Sequence, residues 1–325
     1  MTRVRRLIEI IGAIAAGVAG LTASMCSGLA GEVLVVSQTA AELAVLDAKT
    51  DTISYRIKLD AAPAGVAVSP SGHQAYITHP EIRQLSVVDL VSRTVIAKWP
   101  VGRQPFAVAV DGRGGVWVGD WSADVVQRIN VETGSVMRSI AVGRSPSAIL
   151  MGASDTHLYT VNRESDDVSI ADPVSGQELR RVAVGRGPFA IAGTSDRTQL
   201  FVVNVQASTV SVVDPQTFKS VFQVKVGRMP YGVAIDERTG RVLVTNQQSG
   251  SVTVFDAKDG QVLSTVPVGQ FPEGVVVAPG SGKAYVANWF SNQVSVINVA
   301  DGKETGRVTC GAGPRMLAVR PDSSS

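Results

Sequence analysis

His79 and Asp120 are the side chains in this 325-residue chain best suited to acid–base work. An imidazole and a carboxylate held within hydrogen-bond reach can pass a proton near neutral pH. They stand 41 residues apart, too far to meet on one local element, so any pairing depends on how the intervening chain folds. A second group is basic: Arg103, Arg144, Arg186 and Arg228 recur at steps of 41, 42 and 42. Guanidinium groups converging on one concavity recognise carboxylates or phosphates through forked, bidentate hydrogen bonds. A third group is aromatic. Trp121 directly follows Asp120, and Trp289-Phe290 follow Asn288, all in polar segments. Large rings in such places suit a partner surface or a planar ligand.

Several chemistries lack their residues. The three histidines are His73, His79 and His157, and there is no HExxH, paired CxxC, CxxCH or GxSxG. Asp120, with Glu81, Asp124, Glu164, Asp166 and Asp167, offers carboxylates near the same places, but unevenly. No metal site and no cofactor is evident.

The regular spacing comes from a ruler. Pro63, Pro105, Pro146, Pro188, Pro230, Pro272 and Pro314 are separated by 42, 41, 42, 42, 42 and 42 residues. Around them the text recurs, as in VGRQPFAVAV, VGRGPFAIAG and VGRMPYGVAI. A fixed period near 40 marks an array of supersecondary units, none able to bury its apolar face alone. Each unit reads as four Val-rich runs bounded by Gly, Asp, Asn and Pro, without a sustained helical period. These are four antiparallel strands joined by tight turns. Seven such units predict an all-β, seven-bladed propeller of one domain over 31–325. Residues 33–60 supply second, third and fourth strands, and 316–320 a first strand. The two ends therefore complete one blade and close the ring, which removes exposed edges.

The repeat resembles the YVTN family of β-propeller repeats. The matching runs include residues 76–79, 159–162, 201–204, 243–246 and 285–288, each followed by a ValSerValIleAsp-like strand. The resemblance spans nearly all of 33–320. It implies an exported binding, accessory or surface protein, or in some cases a lactonase or lyase; a redox enzyme as partner rests on this analogy alone. Fold by itself does not assign function.

Residues 1–30 read as a signal peptide. Arg3, Arg5 and Arg6 precede an apolar stretch at 10–23, and Gly28-Leu29-Ala30 has the small-x-small form of a cleavage site. The stretch is short for the ~20 residues that span a bilayer. Cleavage near Ala30 predicts a periplasmic or secreted protein. It also leaves 27 basic and 27 acidic residues, a neutral chain with no bulk attraction for nucleic acid. Cys310 is then the single cysteine. It takes a slot held by Val101, Val142, Val184, Val226 and Val268, so a buried apolar role is expected.

The candidate residues fall into rings. Links between blades and loops between second and third strands open on one face beside the channel, so the Arg103–Arg228 arc should sit there. His79 and Asp120 interrupt a series, Ser37, His79, Asp120, Asn162, Asn204, Asn246 and Asn288, that closes each second strand. The asparagines are expected to hold the loop by bonding nearby backbone. His73 and His157 fall on the opposite face. The favoured function is a non-catalytic binding or accessory propeller, expected to be monomeric. Its mouth face, with Arg103, Arg144, Arg186, Arg228, His79, Asp120, Trp121, Trp289 and Phe290, would take an anionic small molecule or a periplasmic protein. The alternatives are an enzyme using His79 and Asp120, and an adhesion or nucleic-acid-binding propeller.

Overall fold

A computed structural model describes residues 31–321. The proposed signal peptide lies outside the described residues. Among the described residues no helix is long and apolar enough to cross a membrane.

Seven four-stranded antiparallel sheets form the chain. In six of them the strands follow chain order. The first blade instead joins Pro314–Val319 to Glu32–Ser37, Glu42–Asp47 and Thr52–Lys58. The closing pair runs Val33 to Val319, Leu34 to Ala318 and Val35 to Leu317. Arg320, itself buried, ties the two ends with an ion pair to Glu32 at 2.6 Å. We number the blades from this one. The second spans 66–100, the third 105–141, the fourth 146–183, the fifth 188–225, the sixth 230–267 and the seventh 272–309. Among the described residues the other ordered pieces are two single 3-10 turns, Ala153–Asp155 and Gln247–Ser249.

The core lies between blades. Second strands such as Glu32–Ser37 and Lys283–Asn288 are buried on both faces, which explains their unbroken apolar runs. Fourth strands such as Thr94–Pro100 form the exposed rim and alternate. Cys310 is buried in the cluster joining the seventh blade to the first, as its valine slot indicates. Burial pushes its thiol up to about 12.

The proline ruler sets the links between blades. The residue before the proline is left-handed at Ala62, Ser145, Gly187, Met229, Phe271 and Gly313. This reverses the chain so that the residue after the proline enters the innermost strand. The third blade does it differently, with the left-handed turn at Gly102.

Candidate functional site

Each second strand ends in a clamp. Asn162, Asn204, Asn246 and Asn288 donate from Nδ2 to a hydroxyl seven residues on: Ser169, Ser211, Thr253 and Ser295, at 2.8–2.9 Å. The partner is thus a third-strand side chain rather than the loop backbone. The same asparagines pack onto the linker glycines. A Cβ on Gly143, Gly185, Gly227 or Gly269 would come within about 2.6 Å of one, so glycine is required there.

His79 and Asp120 occupy this clamp and do not pair with each other. His79 is fully buried. Its Nδ1 lies 2.9 Å from the Ala61 carbonyl, which can only accept, and its Nε2 lies 2.9 Å from Ser86 Oγ. The ring therefore donates from Nδ1 and accepts from Ser86. Burial lowers its pKa, opposed by the Ala61 carbonyl and Asp60. Asp120 is also buried, and its carboxylate accepts the backbone N–H groups of Arg103, Gln104, Ser122 and Ala123. It anchors the variant linker at Gly102. Both residues thus depart from the repeat for structural reasons, and neither aims a free proton-transfer atom at the channel.

The arginine arc is exposed. Arg103, Arg144, Arg186 and Arg228 are solvent-facing, and among the described residues none forms an ion pair. Arg144 donates to the Glu164 carbonyl at 2.5 Å and Arg186 to Gln206 at 3.3 Å, neither contact cancelling charge. Arg315 does not belong to this arc. Its guanidinium is buried at the mouth of the channel.

The centre of the mouth is built by the residues after the ruler prolines: Ala64, Phe106, Ser147, Phe189, Tyr231, Glu273 and Arg315. Phe106 of the third blade meets Phe189 of the fifth at 5.7 Å between ring centroids, and Phe189 meets Tyr231 at 4.1 Å. Trp121 packs edge-on against Phe106 at 5.2 Å, with Arg163 5.8 Å above its ring. Arg315, from the first blade, lies 5.3 Å over Phe106 and 5.7 Å over Trp289. It donates to Tyr231 Oη at 2.9 Å and Gln38 Oε1 at 3.1 Å, and approaches Glu273 at 3.3 Å. Gln247 donates to the other Glu273 oxygen at 2.8 Å. Phe290 stands apart, exposed and tilted against Phe271 at 4.7 Å between ring centroids.

Burial dominates the electrostatics here. It pushes the Glu273 carboxyl up to about 7 despite the opposing pull of Arg315 and Gln247. It raises Tyr231 to about 12, against the influence of Arg315. Beneath the cluster the channel is an apolar cavity of about 260 Å³, walled by Val66, Val108, Ile149, Ile191, Val233 and Val276. Among the described residues no three His, Cys, Asp or Glu side chains gather to hold a metal. The arrangement can bind a flat or apolar group on its aromatic floor and an anion at its arginines. It also holds one carboxyl able to exchange a proton near neutrality.

The sequence analysis missed Phe106, Phe189, Tyr231, Glu273 and Arg163 as mouth residues. The signal was present. The residue after the proline varies from linker to linker, and it holds three aromatics and two opposite charges.

Comparison with known proteins adds fold relatives. Residues 22–162 match the family model described as SMP-30/Gluconolactonase/LRE-like region, which is less than half of the chain. No curated protein matches. Among solved structures, hydrazine synthase of Kuenenia stuttgartiensis is similar at a TM-score of 0.71 and 20% identity, covering 80% of this chain and 90% of that one. A functionally unknown protein from Desulfotomaculum acetoxidans DSM 771 gives 0.76 and 14%, covering 89% and 98%. The dihydro-heme d1 dehydrogenase NirN, in complex with DHE, gives 0.67 and 16%, covering 86% of this chain and 64% of that one. At these identities the likeness concerns the fold.

Proposed function

We propose that this is an exported propeller that binds an anionic partner at its channel mouth. The favoured ligand is an anionic small molecule with a flat or apolar body; the acidic surface of another exported protein is the second candidate. The observation that carries this reading is the unpaired, exposed arc of Arg103, Arg144, Arg186 and Arg228 beside the aromatic floor of Phe106, Trp121, Tyr231 and Trp289. Four cations left without carboxylate neighbours on one face have charge available for a ligand. Native mass spectrometry of the protein taken gently from its source tests it. An added anionic mass or second chain on the wild type, absent when all four arginines are alanine, supports the reading. An adduct retained by that variant refutes the role of the arc. Edman sequencing of the exported form should begin at or near Gly31; an intact Met1 refutes export by cleavage.

A second reading, a propeller enzyme, is favoured by Glu273, whose carboxyl sits near neutrality in an aromatic-lined mouth. The gluconolactonase-like match ends at residue 162 and does not reach Glu273. If the enzyme reading holds, Glu273 replaces His79 and Asp120 as its acid–base group.

A further inference from the structure

Position 128 breaks the repeat where the core is most regular. In the third strand of the other blades, the equivalent residues are Val45, Val87, Ile170, Val212, Val254 and Val296, all essentially inaccessible. In the third blade this residue is Arg128. Directly across the ladder stands Arg138, so two like charges face each other on neighbouring strands. Such a pairing is destabilising unless something offsets it.

What surrounds Arg128 does not offset it fully. Its nearest carboxylate, Asp111, approaches at only 3.4 Å. Asp111 is already engaged by the Arg113 and Gly115 backbone N–H groups and by Trp117 Nε1. Arg138 turns to the Ser175 carbonyl at 2.8 Å. The buried Nε of Arg128 has no hydrogen-bond partner. Gly115 makes room for the guanidinium, since a Cβ there would lie 2.6 Å from it. The result is a cavity of about 210 Å³ between the third and fourth blades, with Arg113, Arg128 and Arg138 against Asp111 and Asp155. It opens among the first-to-second and third-to-fourth strand turns, on the face opposite the channel mouth.

We propose that this cavity is a second ligand site, for a small oxyanion held between the guanidinium groups of Arg128 and Arg138. Size and chemistry agree: the cavity admits a phosphate or short carboxylate, and forked donors match either. The site is independent of the mouth.

The test uses the thermal midpoint and calorimetric titration of residues 31–325 with inorganic phosphate and with malonate, chloride balancing ionic strength. The variant lacking the four mouth arginines, in which only this cavity reports, should bind one oxyanion and melt higher as it saturates. Arg128→Val restores the residue typical of the repeat and should fold. It should bind at least about tenfold more weakly, the scale of one lost charge-assisted contact. Arg138→Gln, at a position where five other blades carry Tyr, Ala, Phe, Ser or Gly and the fourth carries Arg180, serves if Arg128→Val does not fold. Arg128→Val and Arg138→Gln are made in that same background, so that anion binding at the mouth does not enter the comparison. A response no greater than chloride in that background, or one kept by Arg128→Val, or by Arg138→Gln where Arg128→Val does not fold, overturns the proposal.

Discussion

Replacing Glu273 by glutamine isolates what its burial does. The carboxyl is raised from an ordinary 4.5 to about 7 in the folded protein, with desolvation as the largest cause. The folded state therefore holds a proton that the unfolded state has released, over roughly pH 4.5 to 7. Stability falls with rising pH wherever the folded state binds more protons. Applied between pH 5 and pH 8, this linkage costs the wild type roughly 2–3 kcal/mol. Glu273→Gln resembles the protonated wild type and keeps a carbonyl for Gln247, so it lacks this term. Thermal unfolding of both proteins across that range should show their midpoints converging at low pH. The wild type should fall behind by roughly 5 °C at pH 8, given how free energy converts to melting temperature in domains of this size. Parallel curves mean that Glu273 titrates as an ordinary carboxylate. A wild type that gains on the variant as pH rises means that Arg315 outweighs desolvation. Either result refutes the argument that burial governs this pair.

Further expectations follow from the clamps and the thiol. Asp120→Ala strands four backbone N–H groups and should lose about 2–4 kcal/mol in urea unfolding, with Asp120→Asn losing less; an unchanged midpoint would deny Asp120 its anchoring role. Gly227→Ala drives a Cβ into Asn246 and should cost about 1–3 kcal/mol by the same assay. His79→Asn swaps in the residue that holds the clamps of the fourth to seventh blades and should fold with ordinary ligand binding; loss of an activity without loss of stability would restore His79 as a functional group. Cys310 should react with a thiol reagent at pH 8 only after unfolding, because it is buried and its thiolate is disfavoured.

The fold was legible because seven prolines at steps of 41 or 42 mark a chain reversal between blades, made the same way at six of them, and the Val-rich runs between them include doubly buried strands. Closure was legible from the first and last residues, each an incomplete blade. The site was legible in part. Arg103, Arg144, Arg186 and Arg228 stand out because they repeat, and the structure leaves them exposed. His79 and Asp120 stand out because they interrupt a series, but the interruption serves packing. An imidazole spans from Ser86 to Ala61 as asparagine cannot, and a carboxylate gathers the altered linker at Gly102. Arg315 lies three residues beyond position 312, the place of the arc before Pro314, where the chain carries alanine. It follows the proline instead, at the position that faces the channel mouth. Across-channel contacts, such as Arg315 with Phe106, join residues more than 200 positions apart. No local pattern encodes such contacts.

The central claim is that the mouth binds anions through the arginine arc above an aromatic floor. Fluorescence titration of residues 31–325 with pyrenetetrasulfonate, a flat tetra-anion, tests it most directly when repeated across salt concentrations. The account predicts saturable one-to-one binding that weakens as salt rises, accompanied by quenching of tryptophan emission. The variant with all four arginines changed to alanine should bind at least about tenfold more weakly. No binding by the wild type, or binding that ignores both salt and the loss of the four arginines, contradicts it.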